Sequence, residues 1–447
     1  MPFGPFPAHN LIVQGSGDAP SLPNLKMSHY DDDDFWSTGP AEDRSVCRRC
    51  FGDIDISDFI ESRVNSRQCD FCRRKSKTRE IAAPLEEVVE FMADAINREY
   101  ERAVDALGWE SAEGGFLGEH FDSEELLADW IGLELPKDDD GRLLAVLVNC
   151  FGDEPWCQRD PYSLRPDELL KFSWERFCDF VKHERRYFFL HKQAEKPSHE
   201  YLTPSQILGV VSKAAREHEL VKMLPAGSLI YRARQQKPRR ILSSPYDFGP
   251  PAVEQAIRSN RMSPAGIVMF YGSDDKKTAV AEIDDDPHLG IVVGTFRTTR
   301  PSAILDLTAL PRRLRFFEHQ PDSSSVDRYA LDFLHSFVKS LAAKVEKSER
   351  EHVDYVPTQV VTEYFRTTFR HEGSLIDGVR YFSAQQKGGK SVVLFADQES
   401  VVLKPSQIKR LARSGANQNG ELQRRQDGAW LELVRKRVIR LPELPPE

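Results

Sequence analysis

Residues 261–282 set Arg261 at one end, Glu282 at the other, and Tyr271 at the close of a short apolar strand between them. A guanidinium presents fixed donors that match an anion. A carboxylate aimed at a reacting centre stabilises a positive charge as it grows there. The layout therefore suits a substrate that is anionic in one part and develops a cation in another. Charges flanking a buried strand also occur as plain solvated edges, so the stretch takes its meaning from its context.

Two further groups of residues carry chemistry. Cys47-Arg-Arg-Cys50 is followed, after eighteen residues, by Cys69-Asp-Phe-Cys72. Each C-x2-C knuckle supplies two sulfurs from one tight turn, and four thiolates at this separation close tetrahedrally around one zinc. With no open coordination position such a zinc is structural; the alternative is four reduced cysteines. The flanking Arg48, Arg49, Arg73 and Arg74 either contact phosphates or neutralise the thiolates. The second group is Arg186 and His191, separated by four residues. A histidine near a helix end also serves as a simple cap there.

The elements that must position these groups can be read from pattern. The 447 residues have room for two or three domains, and 40% hydrophobic with 29% charged residues describes a globular chain. A net charge of −9 argues against a surface that is wholly a nucleic-acid footprint, while leaving room for a basic patch. No window approaches 18 consecutive apolar residues and the first thirty lack a signal-peptide core, so a cytoplasmic protein without a membrane partner is expected. Seven cysteines are too few and too unevenly spaced for a disulfide scaffold.

Residues 1–44 read as a flexible tail with the acidic run Asp31 to Asp34, and 45–79 as a zinc ribbon. Helical periodicity runs over 85–107, with a shorter helix near 123–131 and a long one over 166–192. Thr203-Pro-Ser-Gln206 is a capping box that opens a helix through Leu224. Residues 80–224 are thus expected to be an all-helical domain.

From 225 to 404 short apolar strands appear, at 229–231, 267–271, 291–296, 303–307, 379–382 and 392–395, with one amphipathic helix over 326–341. This order predicts an α+β domain with mostly antiparallel pairing. No G-x-G-x-x-G or Walker loop is present. Residues 405–447 read as a basic, solvated helix with a proline-rich end.

Three segments of the second half fall in a recognisable order. Leu229-Ile-Tyr-Arg232 comes first, then the 261–282 stretch, then Tyr381-Phe-Ser383 with a Gly388-Gly389 loop. Over roughly residues 224–400 this resembles the RES domain, in which an L-Y-R strand is followed by G-R-W-N-x-x-G. A Y-x-S turn then leads to a glutamate, and a late Y-x-S precedes a glycine-rich loop. Arg232, Arg261, Tyr271, Glu282 and Ser383 fall on those positions. Asn260, Met262 and Ser263 depart from the usual Gly, Trp and Asn, while Gly266 keeps the closing glycine. Arg186 and His191 resemble the R-x4-H signature of HEPN helical proteins, many of which cleave RNA across a dimer interface. The whole chain resembles proteins that join a HEPN/RES N-terminal domain to a RES domain.

That resemblance implies an ADP-ribosyltransferase-like fold and an NAD-consuming activity of the kind seen in toxins, by phosphorolysis, by hydrolysis or by transfer to a protein. It implies Glu282 at the developing cation, Arg232 and Arg261 on diphosphate or inorganic phosphate, Tyr271 on nicotinamide or ribose, and Ser383 orienting a hydroxyl or Glu282. An antitoxin or other regulatory protein and a homodimer are the implied partners. A ribonuclease using Arg186 and His191, and a module that binds NAD without turnover, stay open beside it.

Overall fold

The computed structural model describes residues 36–112, 114–138, 140–186, 201–283, 286–318, 325–342, 351–405, 407 and 428–441. Its first half is built on three helices. Asp53 caps α1 (Ile54–Ser62) by accepting from the Asp55 and Ile56 amides at 2.8 and 3.0 Å. In α2 (Leu85–Ile96), Leu85, Val88, Val89, Met92 and Ile96 recur at helical spacing and are buried. With α3 (Arg142–Phe151) they enclose a core that includes Ile56, Ile60, Leu147, Phe151 and Trp156.

This unit is not all-helical. Ser45–Cys47 pairs with Ala82–Pro84, and Tyr100–Arg102 with Trp156–Gln158, both antiparallel. The periodicity over 85–107 breaks at Ile96 because tertiary contacts override it. Arg102 stacks 4.1 Å from the Trp156 ring and donates to the Phe151 and Glu154 carbonyls at 2.6 Å each. Part of the expected tail also belongs here: Ala41 is fully buried, and the Ser37 amide donates to the Cys150 carbonyl at 2.8 Å.

Helix α4 (Pro166–Asp179) continues as one wide turn to Glu184, so the predicted helix over 166–192 shortens, and 187–192 lie outside the described residues. The Thr203–Gln206 capping box is present and opens α5 (Pro204–Glu217). The chain after α5 then enters the sheet: Val221–Leu224 is a strand, β1, and the expected helix to Leu224 ends seven residues early. The expected boundary at 224/225 therefore falls inside the sheet.

The remaining strands are β2 (Leu229–Gln236), β3 (Phe270–Ser273), β4 (Gly290–Thr298), β5 (Ser302–Asp306), β6 (Gly378–Phe382), β7 (Lys390–Leu394), β8 (Val401–Val402) and β9 (Leu431–Arg440). Among the described residues they form one nine-stranded sheet in the order β8-β9-β4-β2-β3-β7-β6-β5-β1. Pairing is antiparallel except at β5–β6 and β8–β9, as the strand order predicts. Residues 431–440 are a strand along β4 and not a solvated helix. Their basic residues sit on an exposed edge, which hid the strand from pattern reading.

Helices α6 (Lys276–Ala281), α7 (Ser325–Ala342) and α8 (Val356–Thr367) lie between the strands in chain order. Phe177 of α4, Val211 of α5, Phe337 of α7 and Phe365 of α8 share one core with β5 and β6. The helices predicted for the first domain thus split between two cores.

Residues 315–317 and 328–329 tie the halves together. Phe317 is buried in the N-terminal core, and Arg315 pairs with Asp55. Glu99 accepts from Arg328 at 3.0, 2.6 and 2.5 Å and from the Tyr329 hydroxyl at 2.5 Å.

Candidate active site

The centre of the site is Glu282, at the C-terminal end of α6. Asp275 caps that helix through the Thr278 amide at 2.8 Å and the Thr278 hydroxyl at 2.6 Å. Ala279 and Val280 pack on Tyr231, Ala233, Ile291 and Val293, which seats α6 against β2 and β4.

Two hydroxyls hold the carboxylate. Ser383 Oγ donates to Glu282 Oε1 at 2.5 Å, and Ser391 Oγ donates to the same oxygen at 3.0 Å. Among the described residues, Oε2 makes no hydrogen bond, so one edge of the carboxylate is fixed and the other is left for a ligand.

Ser383 is itself held by a tight turn between β6 and β7. Its amide donates to the Gly389 carbonyl at 2.8 Å, and its Oγ accepts from the Gln385 and Gln386 amides at 3.2 and 3.1 Å. A Cβ on Gly389 would stand 2.4 Å from Thr278 Oγ1, so a glycine there lets the turn close against α6.

Across the sheet, Tyr231 pairs with Ser273, Ser273 with Ser391, and Ser391 with Tyr381. Residues directly opposite share a face, so this row runs beneath the carboxylate. Tyr271 lies two residues from Ser273 on the same face, and its hydroxyl pairs with Ser263 Oγ at 2.8 Å. Burial pushes the Tyr271 phenol up to about 12. Burial also raises the buried Tyr381, with further contributions from Glu282 and Tyr271 and an opposing one from Arg261.

Arg261 is half-buried in a loop that α8 pins down. Thr358 Oγ1 donates to the Arg261 carbonyl, and Gln359 Nε2 reaches Ser259 Oγ at 3.0 Å and the Asn260 carbonyl at 2.8 Å. The Arg261 charge acts on Tyr381 and Tyr355.

Arg232 stands apart from Glu282. Strand alternation turns it to the face opposite Tyr231, where its guanidinium lies 5.0 Å over the Phe270 ring. It is 8% exposed, and its Nη1 has no hydrogen-bond partner. Burial holds its pKa well below the usual range, and Arg234 lowers it further while Tyr271 opposes. No hydrogen bond joins Arg232 to Glu282 among the described residues; its link to the group runs through the field at Tyr271.

The structure thus brings Glu282 and Ser383 into contact, sets Tyr271 behind them, and leaves Arg232 and Arg261 on the flanks. Sequence reasoning missed Ser391, Ser263 and Tyr381 as parts of the site. A signal existed for Ser391, a lone polar residue entering an apolar strand, but only pairing shows what it faces.

The four cysteines of the N-terminal unit also converge. Sulfur separations are 3.9 Å for Cys47–Cys50, 3.5 Å for Cys47–Cys72 and 3.6 Å for Cys50–Cys69, with all four within 4.8 Å of one another. Zinc–sulfur bonds of about 2.3 Å in a tetrahedron require sulfurs roughly 3.8 Å apart, so the set fits that ion. Three of the four are buried, and the Cys47 amide donates to Cys69 Sγ at 3.3 Å. Arg186 is exposed and its Nη2 donates to the Lys182 carbonyl at 3.4 Å; His191 lies outside the described residues.

Residues 62–195 match the family model described as HEPN/RES N-terminal domain 1, and residues 229–414 match that of the RES domain. No curated protein and no solved structure matches the chain. No helix among the described residues is long and apolar enough to cross a membrane.

Proposed function

Because this chain is a RES-domain protein with a HEPN/RES N-terminal domain, we propose that it is an NAD-consuming enzyme that breaks the nicotinamide–ribose bond. The observation that carries this reading is the Glu282 carboxylate, fixed by two seryl hydroxyls on one oxygen and unoccupied on the other. Cleavage of an N-glycosidic bond passes through an oxocarbenium-like state, as in glycoside hydrolysis. Nicotinamide leaves with the bonding electron pair as a neutral ring, and the positive charge moves to the ribose. A preoriented carboxylate beside that carbon lowers the barrier because its charge needs no reorganisation at the moment of reaction.

Tyr271 stacks on nicotinamide or bonds a ribose hydroxyl, Ser383 and Ser391 hold Glu282, and Arg232 with Arg261 supplies the cations for a diphosphate or an incoming phosphate. Inorganic phosphate, water or a protein side chain then takes the ADP-ribose. The fold that carries this is ADP-ribosyltransferase-like, in the sense of a sheet whose central strands part around the substrate. Cys47, Cys50, Cys69 and Cys72 hold one structural zinc. An NAD-depleting activity of this kind suits a cytoplasmic toxin or defence effector restrained by its N-terminal half, by an antitoxin or by self-association.

The test is nicotinamide release from NAD by purified protein, with and without inorganic phosphate. Wild-type protein is expected to release nicotinamide, and Glu282→Gln to lose that release by at least about a hundredfold while remaining folded. Full activity in a folded Glu282→Gln protein sinks the assignment. A rate that rises with phosphate identifies phosphorolysis; an indifferent rate identifies hydrolysis or transfer.

A further inference from the structure

Strand β2 carries a second arginine, Arg234, that the sequence reading leaves without a task. The ladder between β2 and β4 runs without a bulge from Leu229↔Arg297 to Gln236↔Gly290. Alternation is therefore intact, and Arg232 and Arg234 face the same side about 7 Å apart along the strand. On its other side β2 meets β3 at a single pair, Tyr231↔Ser273, and then departs from it. Both arginines lie on the departing segment, and Arg232 lies over the Phe270 ring.

The two guanidiniums have no counter-charge. Among the described residues neither forms an ion pair with a carboxylate; Arg232 Nη1 and Arg234 Nε are buried and lack hydrogen-bond partners. The one side-chain hydrogen bond that Arg234 makes goes to the Gly249 carbonyl at 3.2 Å. Burial lowers the pKa of both, and Arg234 adds like-charge repulsion to Arg232. Two desolvated cations of the same sign are costly to hold together unless an anion joins them. Arg380, by contrast, has its counter-charges, lying 3.3 Å from Asp274 and 3.1 Å from Asp306.

We propose that Arg232 and Arg234 together form a binding site for a phosphate-class dianion where β2 parts from β3. Each planar fork can donate two parallel hydrogen bonds to phosphate oxygens, and the bound anion supplies the missing counter-charge. The site deepens the NAD reading and rests on it for the identity of its ligand. In that reading the anion is the diphosphate of the dinucleotide or the inorganic phosphate that accepts ADP-ribose. Arg234, on the same face of the same strand, is then a further partner of Arg232 in gripping it.

The experiment measures thermal unfolding of the full chain with inorganic phosphate, with ADP-ribose and with chloride as the ionic-strength control. Phosphate or ADP-ribose is expected to raise the melting temperature of the wild type where chloride does not. Arg234→Gln is expected to melt no lower than the wild type without ligand, because it removes a buried like charge, and to lose at least tenfold in affinity for the anion. A larger response to ADP-ribose than to phosphate identifies the diphosphate as the occupant, and the reverse identifies inorganic phosphate. Arg234→Gln that melts lower without ligand yet binds the anion as tightly as wild type overturns the proposal, as does a wild type that responds to neither anion. Glu282→Gln separates the two readings: an anion response kept in a wild type and a Glu282→Gln protein that both release no nicotinamide leaves this site standing while the enzyme reading falls.

Discussion

Ser391 and Ser383 place their hydroxyls on the same oxygen of Glu282, and they differ in how they are held. Ser383 sits in a turn, whereas Ser391 is 2% exposed within β7 and fixed by the ladder on both sides. Removing either hydroxyl forfeits a hydrogen bond to a charged group, worth about 1.5–3 kcal/mol. Ser391→Ala is therefore expected to lower kcat for NAD cleavage roughly ten- to a hundredfold with little change in KM, since orientation of the carboxylate counts most in the transition state. Steady-state kinetics check this, and an unchanged kcat removes Ser391 from the site. The departures from the family pattern around Arg261 also find physical roles. Met262 is buried with Met269, Tyr381 and Val393, and Ser263 is buried against the Tyr271 hydroxyl. Tyr271 carries a pH signature as well. Its phenol is pushed up to about 12 in the folded chain, against roughly 10 in an unfolded one. Between those values the folded state keeps a proton that the unfolded state has lost. The stabilisation is complete below about pH 10 and declines as pH rises toward 12, by up to about 1.4 kcal/mol per pH unit. Urea unfolding across that window is expected to show a shallower decline in Tyr271→Phe than in the wild type.

The cysteine knuckles, α6 and β9 each show a different relation between local pattern and structure. The C-x2-C spacing needs only two tight turns, and the four sulfurs meet as the spacing predicts. Cys47, Cys50 and Cys69 lie in the same core as Val46, Phe51 and Ile56, so a metal held there would reinforce that core. The expected stoichiometry is one zinc per chain by metal analysis. Chelation, or Cys69→Ser, is expected to open this unit to limited proteolysis, because structural zinc contributes to folding directly. Protein isolated without bound metal yet equally resistant to protease would remove the zinc. Helix α6 is too short to be stable alone. It persists through the Asp275 cap and the packing of Ala279 and Val280 on β2 and β4, and this sets Glu282 at its end. Strand β9 has the weakest local signal. Leu431 is buried and Leu433 packs on the same core, while Arg435, Lys436 and Arg437 face water, so its apolar face is short and its partner, β4, lies far back in the chain.

At the level of the whole molecule, the two halves are joined by residues 315–317 and 328–329, which belong in sequence to the RES half. Phe317 fills the N-terminal core, and Glu99 receives Arg328 and Tyr329 at the seam. The Glu99 side chain is 8% exposed, so it depends on these partners. Arg328→Met leaves that carboxylate buried with the Tyr329 hydroxyl and without its cation, at a cost of about 3–5 kcal/mol. Equilibrium unfolding is expected to show the N-terminal unit separating at lower denaturant than in the wild type. A single transition at the wild-type midpoint contradicts this account of the seam. The second core, shared by α4, α5, α7 and α8, joins the helices after Pro166 to β5 and β6, and through them the seam bears on the sheet against which α6 and Glu282 are seated.

Features set by neighbours in the chain were legible from sequence: the cysteine knuckles, the Thr203–Gln206 cap, the strands of the second half and the order of arginine, tyrosine, glutamate and serine along it. Each depends on residues a few positions apart, where rotamer, cap and turn preferences act directly. Tertiary structure alone decided that Ser391 shares Glu282 with Ser383, that Arg232 and Arg234 face away from that carboxylate without a counter-charge, and that 221–224 and 431–440 complete the sheet. Those outcomes depend on which strands pair and in what register, and a shift of one residue would turn every side chain to the other face.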